Sequence, residues 1–206
     1  LMAASALYAP QAFGNYLHDD EGTYAYAAWR VSAGEVPYRD FLTSEMPLFL
    51  YGNAALIRLF GRSFVPLRLA TGLAALVGLM LLYGLCRNLW SRPVALLAVG
   101  LCMIERHYFD YARYMRGDGY MLLFQLAGLS ALVQGEKRAR LRYTALAGMF
   151  FALAVLSKML GLLPLAGSLV YLLYAGWRER RPLRQVIVQG LAPGTARPVP
   201  GWRCGS

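Results

Sequence analysis

The chain has 206 residues, 58% of them apolar and 16% charged, with 21 Lys and Arg against 11 Asp and Glu. Soluble domains run at about 45–50% apolar and about 25% charged, so an ordinary soluble enzyme and a disordered chain both fit poorly, and three cysteines make no disulfide framework. The net charge of +10 does not read as a nucleic-acid surface, because the bases lie between long uncharged runs, the pattern of membrane topology.

Residues 1–17 are apolar and read as a first membrane helix cut at its start; no basic region precedes a cleavage site, so they do not read as a signal peptide. A charged segment, 18–68, follows. Within it, residues 22–34 suit an amphipathic helix on the membrane surface, with Tyr24, Tyr26 and Trp29 as interface anchors. Residues 47–57 are apolar but too short to span, and Glu45, Arg58 and Arg62 flank them, so an interfacial or re-entrant helix is expected. Residues 69–86, 119–135 and 159–177 are uncharged and long enough to cross a bilayer. Residues 93–104 and 143–157 are shorter and need snorkelling ends. The Pro/Gly-rich stretch 191–206 reads as a disordered or truncated tail. The expected fold is therefore all-α: a polytopic membrane bundle of about six spans over residues 1–190, with interfacial helices in the outer loop 18–68. The chain reads as the front part of a larger membrane protein.

Charge placement assigns the sides. Arg87 and Arg92, then Lys137, Arg138, Arg140 and Arg142, then Arg178, Arg180, Arg181 and Arg184 form three clusters with only Glu136 and Glu179 as acids. Segments 18–68 and 105–118 and the corner at Lys158 carry equal numbers of bases and acids. The positive-inside rule puts the three clusters in the cytoplasm and the balanced segments outside. Asp19, Asp20, Glu21, Glu45, Asp110 and Asp118 then lie at outer helix ends, where they either share one cavity or are solvated separately.

Asp19, Asp20 and Glu21 are consecutive carboxylates, which repel one another unless a cation or a shared proton intervenes. Either state is usable, as a general base or as hard-cation ligands; one Asp also suits a helix N-cap. Lys158 stands alone in a long uncharged run, and a Lys at a membrane centre costs about 3 kcal/mol, so a helix junction is expected there, for a polar role or for snorkelling. Arg113 and Arg116 share a face if helical and suit phosphate oxygens, or an ion pair with Asp110 or Asp118. His18 and His107 lack metal-ligand spacing.

Several stretches resemble the GT-C glycosyltransferases, the integral-membrane enzymes that include protein O-mannosyltransferases and aminoarabinose transferases, of the family 39 type. They are the Asp20-Glu21 pair, Gly34-x-x-Pro37-Tyr38-x-Asp40, Glu45-x-Pro47-Leu48, Phe60-Gly61 with Arg68-Leu69, Arg113-x-x-Arg116-x-Asp118, and Leu156-x-Lys158-x-x-Gly161. The resemblance covers about residues 1–185. It implies a polyprenyl-phosphate sugar donor, a lipid, glycan or protein acceptor, and a multi-pass protein of the cell membrane, a bacterial inner membrane in particular, with its site on the outer, periplasmic face. It carries the catalytic base onto Asp20 and supporting acids onto Glu45 and Asp118, to which the crowded neighbours Asp19 and Glu21 are added as further supporting acids. Glu45 either helps bind a divalent cation, with Asp20, or orients substrate; that cation is the one cofactor the resemblance raises. The family often has Lys where Met46 stands and a second Pro where Leu48 stands, so the donor phosphate falls to Arg113, Arg116 and Lys158. A transporter or flippase of a lipid-linked or anionic solute is the rival reading, and an inactive fragment a third. Transporter charges belong near the midplane, whereas nine of the eleven acids here fall in the outer segments.

Overall fold

The computed structural model describes residues 20–138 and 140–178. The expected span at 1–17, His18, Asp19, Arg180, Arg181, Arg184 and the tail 191–206 lie outside them. The described residues are all helical apart from turns: α1 Glu21–Ser32, α2 Pro47–Phe60, α3 Phe64–Leu89, α4 Arg92–Ile104, α5 Arg106–Arg113, α6 Gly117–Arg138, α7 Leu141–Ser157, a 3₁₀ turn Met159–Gly161, and α8 Leu162–Arg178. The fold is an all-α membrane bundle, as the apolar periodicity requires.

Sequence punctuation accounts for most boundaries. Pro lies in the first turn of α2 and of α4, where its missing N–H leaves nothing unpaired. At the start of α3, Ser63 accepts from the Val65 N–H at 3.3 Å. Glu105 separates α4 from α5 and caps α5 by accepting from the Tyr108 N–H at 2.7 Å. At 26 residues α3 is long and apolar enough to cross a membrane, the one such helix among the described residues; α6, which contains the expected span 119–135, is long but not apolar enough, and α2, α4, α7 and α8 are apolar but shorter. α3 begins five residues before the expected span 69–86, because Arg68 is not a boundary charge. Arg68 is buried inside the helix and neutralised by Glu21. Pro47–Phe60 is a short helix, as its length between charges suggests.

α6 packs along both α3 and α7, and α4 and α5 also pack on α3, with Tyr108 of α5 and Leu126 of α6 both beside Gly78. The short helices α1 and α2 pair with each other over a core of Ala28, Val31, Leu50, Ala54, Ile57 and Leu67, into which Met115 projects from the α5–α6 connection. The helix flanks carry exposed Leu73, Met80, Leu97, Leu101, Leu146 and Leu169. A water-facing surface would not hold so many large apolar side chains, and a lipid-facing one requires them.

Candidate active site

The site forms where the start of α6 meets the end of α7. A Cβ on Gly117 would stand 2.8 Å from the Ser157 carbonyl oxygen, and a Cβ on Gly161 would stand 2.5 Å from the Ala154 carbonyl carbon. Both approaches are possible only without a side chain. Because Gly117 touches Ser157, the next residues in each strand of chain, Asp118 and Lys158, also meet. Lys158 Nζ donates to Asp118 Oδ1 at 2.5 Å, with the Asp118 side chain only 6% exposed. Lys158 itself ends α7 in an extended conformation (φ −159°, ψ 138°), at the helix junction expected of a lone Lys in apolar sequence. Gly117→Val should therefore separate the pair and destabilise the fold by about 1–3 kcal/mol, as overpacking does. Thermal unfolding in detergent checks this, and a wild-type melting temperature would refute the contact.

Arg116 extends the chain of charges. Its Nη2 lies 3.3 Å from Asp20 Oδ2 and its Nε 3.6 Å from Asp118 Oδ2. Asp20 immediately precedes α1, yet its side chain makes no cap hydrogen bond; the carboxylate is half-exposed and turned to Arg116 instead. Asp20, Arg116, Asp118 and Lys158 thus form one continuous series of opposite charges drawn from α1, the α5–α6 connection, α6 and the α7 corner.

Glu45 stands beside this series, in the loop ahead of α2. Burial pushes its carboxyl above the usual range; the nearby Lys158 works against that, and Asp118 and Asp20 add to it. Its own backbone is pinned, since Thr43 Oγ1 accepts from its N–H at 3.2 Å and the Tyr38 hydroxyl donates to its carbonyl. The Tyr24 hydroxyl is also raised, by burial first and then by Glu45, Asp20 and Asp118, against the pull of Arg116. Tyr24 packs edge-on to Phe49 at 5.6 Å between ring centroids, so it is a wall of the site and not the interface anchor expected. Its place follows from the pairing of α1 with α2, which no local pattern reveals.

Two expected members stand elsewhere. Glu21 is fully buried beneath the site, where Arg68 Nε and Nη2 donate to it at 3.0 and 2.6 Å and the Met115 N–H donates at 2.8 Å. The crowding of Asp20 with Glu21 is thus relieved by two separate arginines, Arg68 for Glu21 and Arg116 for Asp20. Arg113 does not share a face with Arg116, because α5 ends at Arg113 and Tyr114 is extended (φ −100°, ψ 153°). It turns to Asp110 at 3.9 Å and to the Tyr114 hydroxyl at 3.2 Å. Asp110 belongs to that separate group, with Arg106 at 4.0 Å on its other oxygen.

The donor set offers no all-protein cage for a divalent cation of the Ca²⁺ kind, which takes six to eight oxygen ligands, whereas Mg²⁺ takes one or two carboxylates with water and phosphate. Here Asp118 is held by Lys158 and Arg116, and Asp20 is held by Arg116. The expected ligands Glu45 and Asp20 find no third partner: among the described residues no group of three metal-ligating side chains forms.

Residues 44–193 match the family profile described as dolichyl-phosphate-mannose-protein mannosyltransferase. The match contains Glu45, Arg113, Arg116, Asp118 and Lys158, while Asp20, Glu21 and Arg68's partner segment α1 precede it. No curated protein and no solved structure matches the chain.

Proposed function

Because the chain belongs to the dolichyl-phosphate-mannose-protein mannosyltransferase family, glycosyltransferases embedded in membranes, we propose that its charged site serves transfer of a sugar from a polyprenyl-phosphate donor to an acceptor hydroxyl on the outer face. The observation that carries this reading is the series Asp20–Arg116–Asp118–Lys158. It places an accessible carboxylate next to two cations held in position by one buried acid.

The acceptor hydroxyl gives its proton to Asp20 as its oxygen attacks the anomeric carbon. The bond from that carbon to the phosphate oxygen breaks, and the electron pair leaves on the phosphate. Arg116 and Lys158 receive that added charge, since hydrogen bonds from cations to oxyanions are about twice as strong as neutral ones. Attack opposite the leaving group inverts the anomeric configuration. Asp118 is a positioning residue here: buried, it holds Lys158 and the Nε edge of Arg116. The shift of Arg116 from Asp20 to phosphate would also free the base as the donor binds. A multi-pass arrangement with the acids outside and the basic clusters in the cytoplasm follows from the charge asymmetry.

The test is transfer from a polyprenyl-phosphate sugar in membranes expressing the full-length protein, with the product anomer read by NMR. Retention of configuration would contradict direct attack. Lys158→Met alone would strand the buried Asp118, so Lys158→Met is paired with Asp118→Asn. Losing a charge-assisted hydrogen bond costs about 1.5–3 kcal/mol, and the double variant should bind donor about tenfold or more weakly. Unchanged donor affinity would remove Lys158 from the phosphate site.

A further inference from the structure

At the other end of the bundle, we propose that α3 and α4 form a binding site for one anionic phospholipid, with an acyl chain in the groove between them and the phosphate on Arg87 and Arg92. The groove holds about 330 Å³ and is lined by Leu79, Met80 and Tyr83 of α3 and Leu96, Val99 and Met103 of α4. Its walls are apolar along their length, so a hydrocarbon chain fits and a polar ligand does not.

Charge identifies the head group. Arg87 lies four residues after Tyr83, and Arg92 four residues before Leu96. That spacing stacks each arginine over a lining residue on the same face of its helix. The two guanidiniums therefore stand at one mouth of the groove, on either side of the Trp90–Ser91 turn, and both are exposed. Neither has an acidic partner among the described residues, and residues 87–92 contain no acid. On the α6 side of the same helix end, Lys137 Nζ donates to the Asn88 carbonyl at 2.7 Å. Exposed Trp90 beside them is the aromatic expected at the level of lipid head groups. An apolar groove with these two arginines at its mouth complements a lipid with a negative phosphate, as basic pockets at the cytoplasmic side of membrane helices do. The site is remote from Asp118 and Lys158 and does not depend on the transfer reading.

The experiment uses the full chain and native mass spectrometry in detergent, with phosphatidylglycerol competing against phosphatidylcholine. One basic residue at a membrane surface favours anionic lipid by about fivefold, so wild-type protein should retain phosphatidylglycerol at least tenfold better. Arg87→Gln with Arg92→Gln should abolish the preference while phosphatidylcholine still binds and the melting temperature holds. Val99→Trp, which fills the groove, should lower occupancy by both lipids. Equal retention of the two lipids by wild-type protein would overturn the proposal, as would an undiminished preference in the double arginine variant or unchanged occupancy in Val99→Trp. Displacement of phosphatidylglycerol by inorganic phosphate alone would reduce the site to an anion patch and overturn it. Tighter binding of farnesyl phosphate than of phosphatidylglycerol would overturn it in favour of an isoprenoid lipid.

Discussion

Asp20→Asn is expected to slow sugar transfer by about 10²–10⁴ while leaving donor affinity within a few-fold of wild type. The amide keeps the shape of the carboxylate but cannot take the acceptor's proton, and loss of a general base has effects of that size. Donor affinity is spared because the phosphate contacts assigned here are Arg116 and Lys158. Asp20 makes no cap hydrogen bond to α1, so the substitution costs the helix only a small loss of charge at its N-terminus. Its ion pair to Arg116 is partly exposed, and such pairs contribute little to stability. A parallel Asp19→Asn variant should do much less, because the base role falls on the carboxylate that faces Arg116. The assay is single-turnover transfer in membranes containing the full-length protein. Wild-type rates from Asp20→Asn with a crippled Asp19→Asn would move the base one residue back, and wild-type rates from both would sink the mechanism.

The largest effect on stability is expected at Arg68. Its side chain is 3% exposed and that of Glu21 is fully buried, and the pair ties α1 to α3 across 47 positions of sequence. Removing one partner leaves an uncompensated charge in a medium that cannot solvate it. Breaking such a pair costs about 3–5 kcal/mol, a large share of what holds a domain folded. Arg68→Met should therefore lower the melting temperature sharply and reduce accumulation in membranes. Adding Glu21→Leu to it removes the stranded carboxylate and should recover much of the loss. Glu21 also accepts from the Met115 N–H, so full recovery is not expected. A melting temperature near wild type in Arg68→Met alone would show that the pair is not needed.

These two residues mark where local sequence stops being informative. Lys158 was legible because a single charge in some thirty apolar residues must lie at a break, and α7 does end there. The short helix from Pro47 was legible from its length between charges. The run of Asp20 and Glu21 was legible as crowded carboxylates, but its resolution was not. Their arginine partners lie 96 and 47 positions away, and only the pairing of α1 with α2 and α3 brings them close. Arg113 and Arg116 misled for a different reason. A spacing of three implies a shared face only while the helix continues, and α5 stops at Arg113. The contact of Gly117 with Ser157 carries no sequence pattern at all, although it sets the Asp118–Lys158 pair. What periodicity and charge runs convey is which segments are helices and which ends are polar; which ends meet is decided by packing.

The most direct measurement is photocrosslinking of a diazirine-bearing polyprenyl phosphate to the full-length protein, with the labelled peptides identified by mass spectrometry. Label is expected on the segments around Arg116–Asp118 and Lys158, competed away by the sugar-loaded donor and lost in Lys158→Met with Asp118→Asn. Label confined to the α3–α4 turn, or label at Lys158 that the sugar-loaded donor does not displace, would contradict a donor site built on these charges.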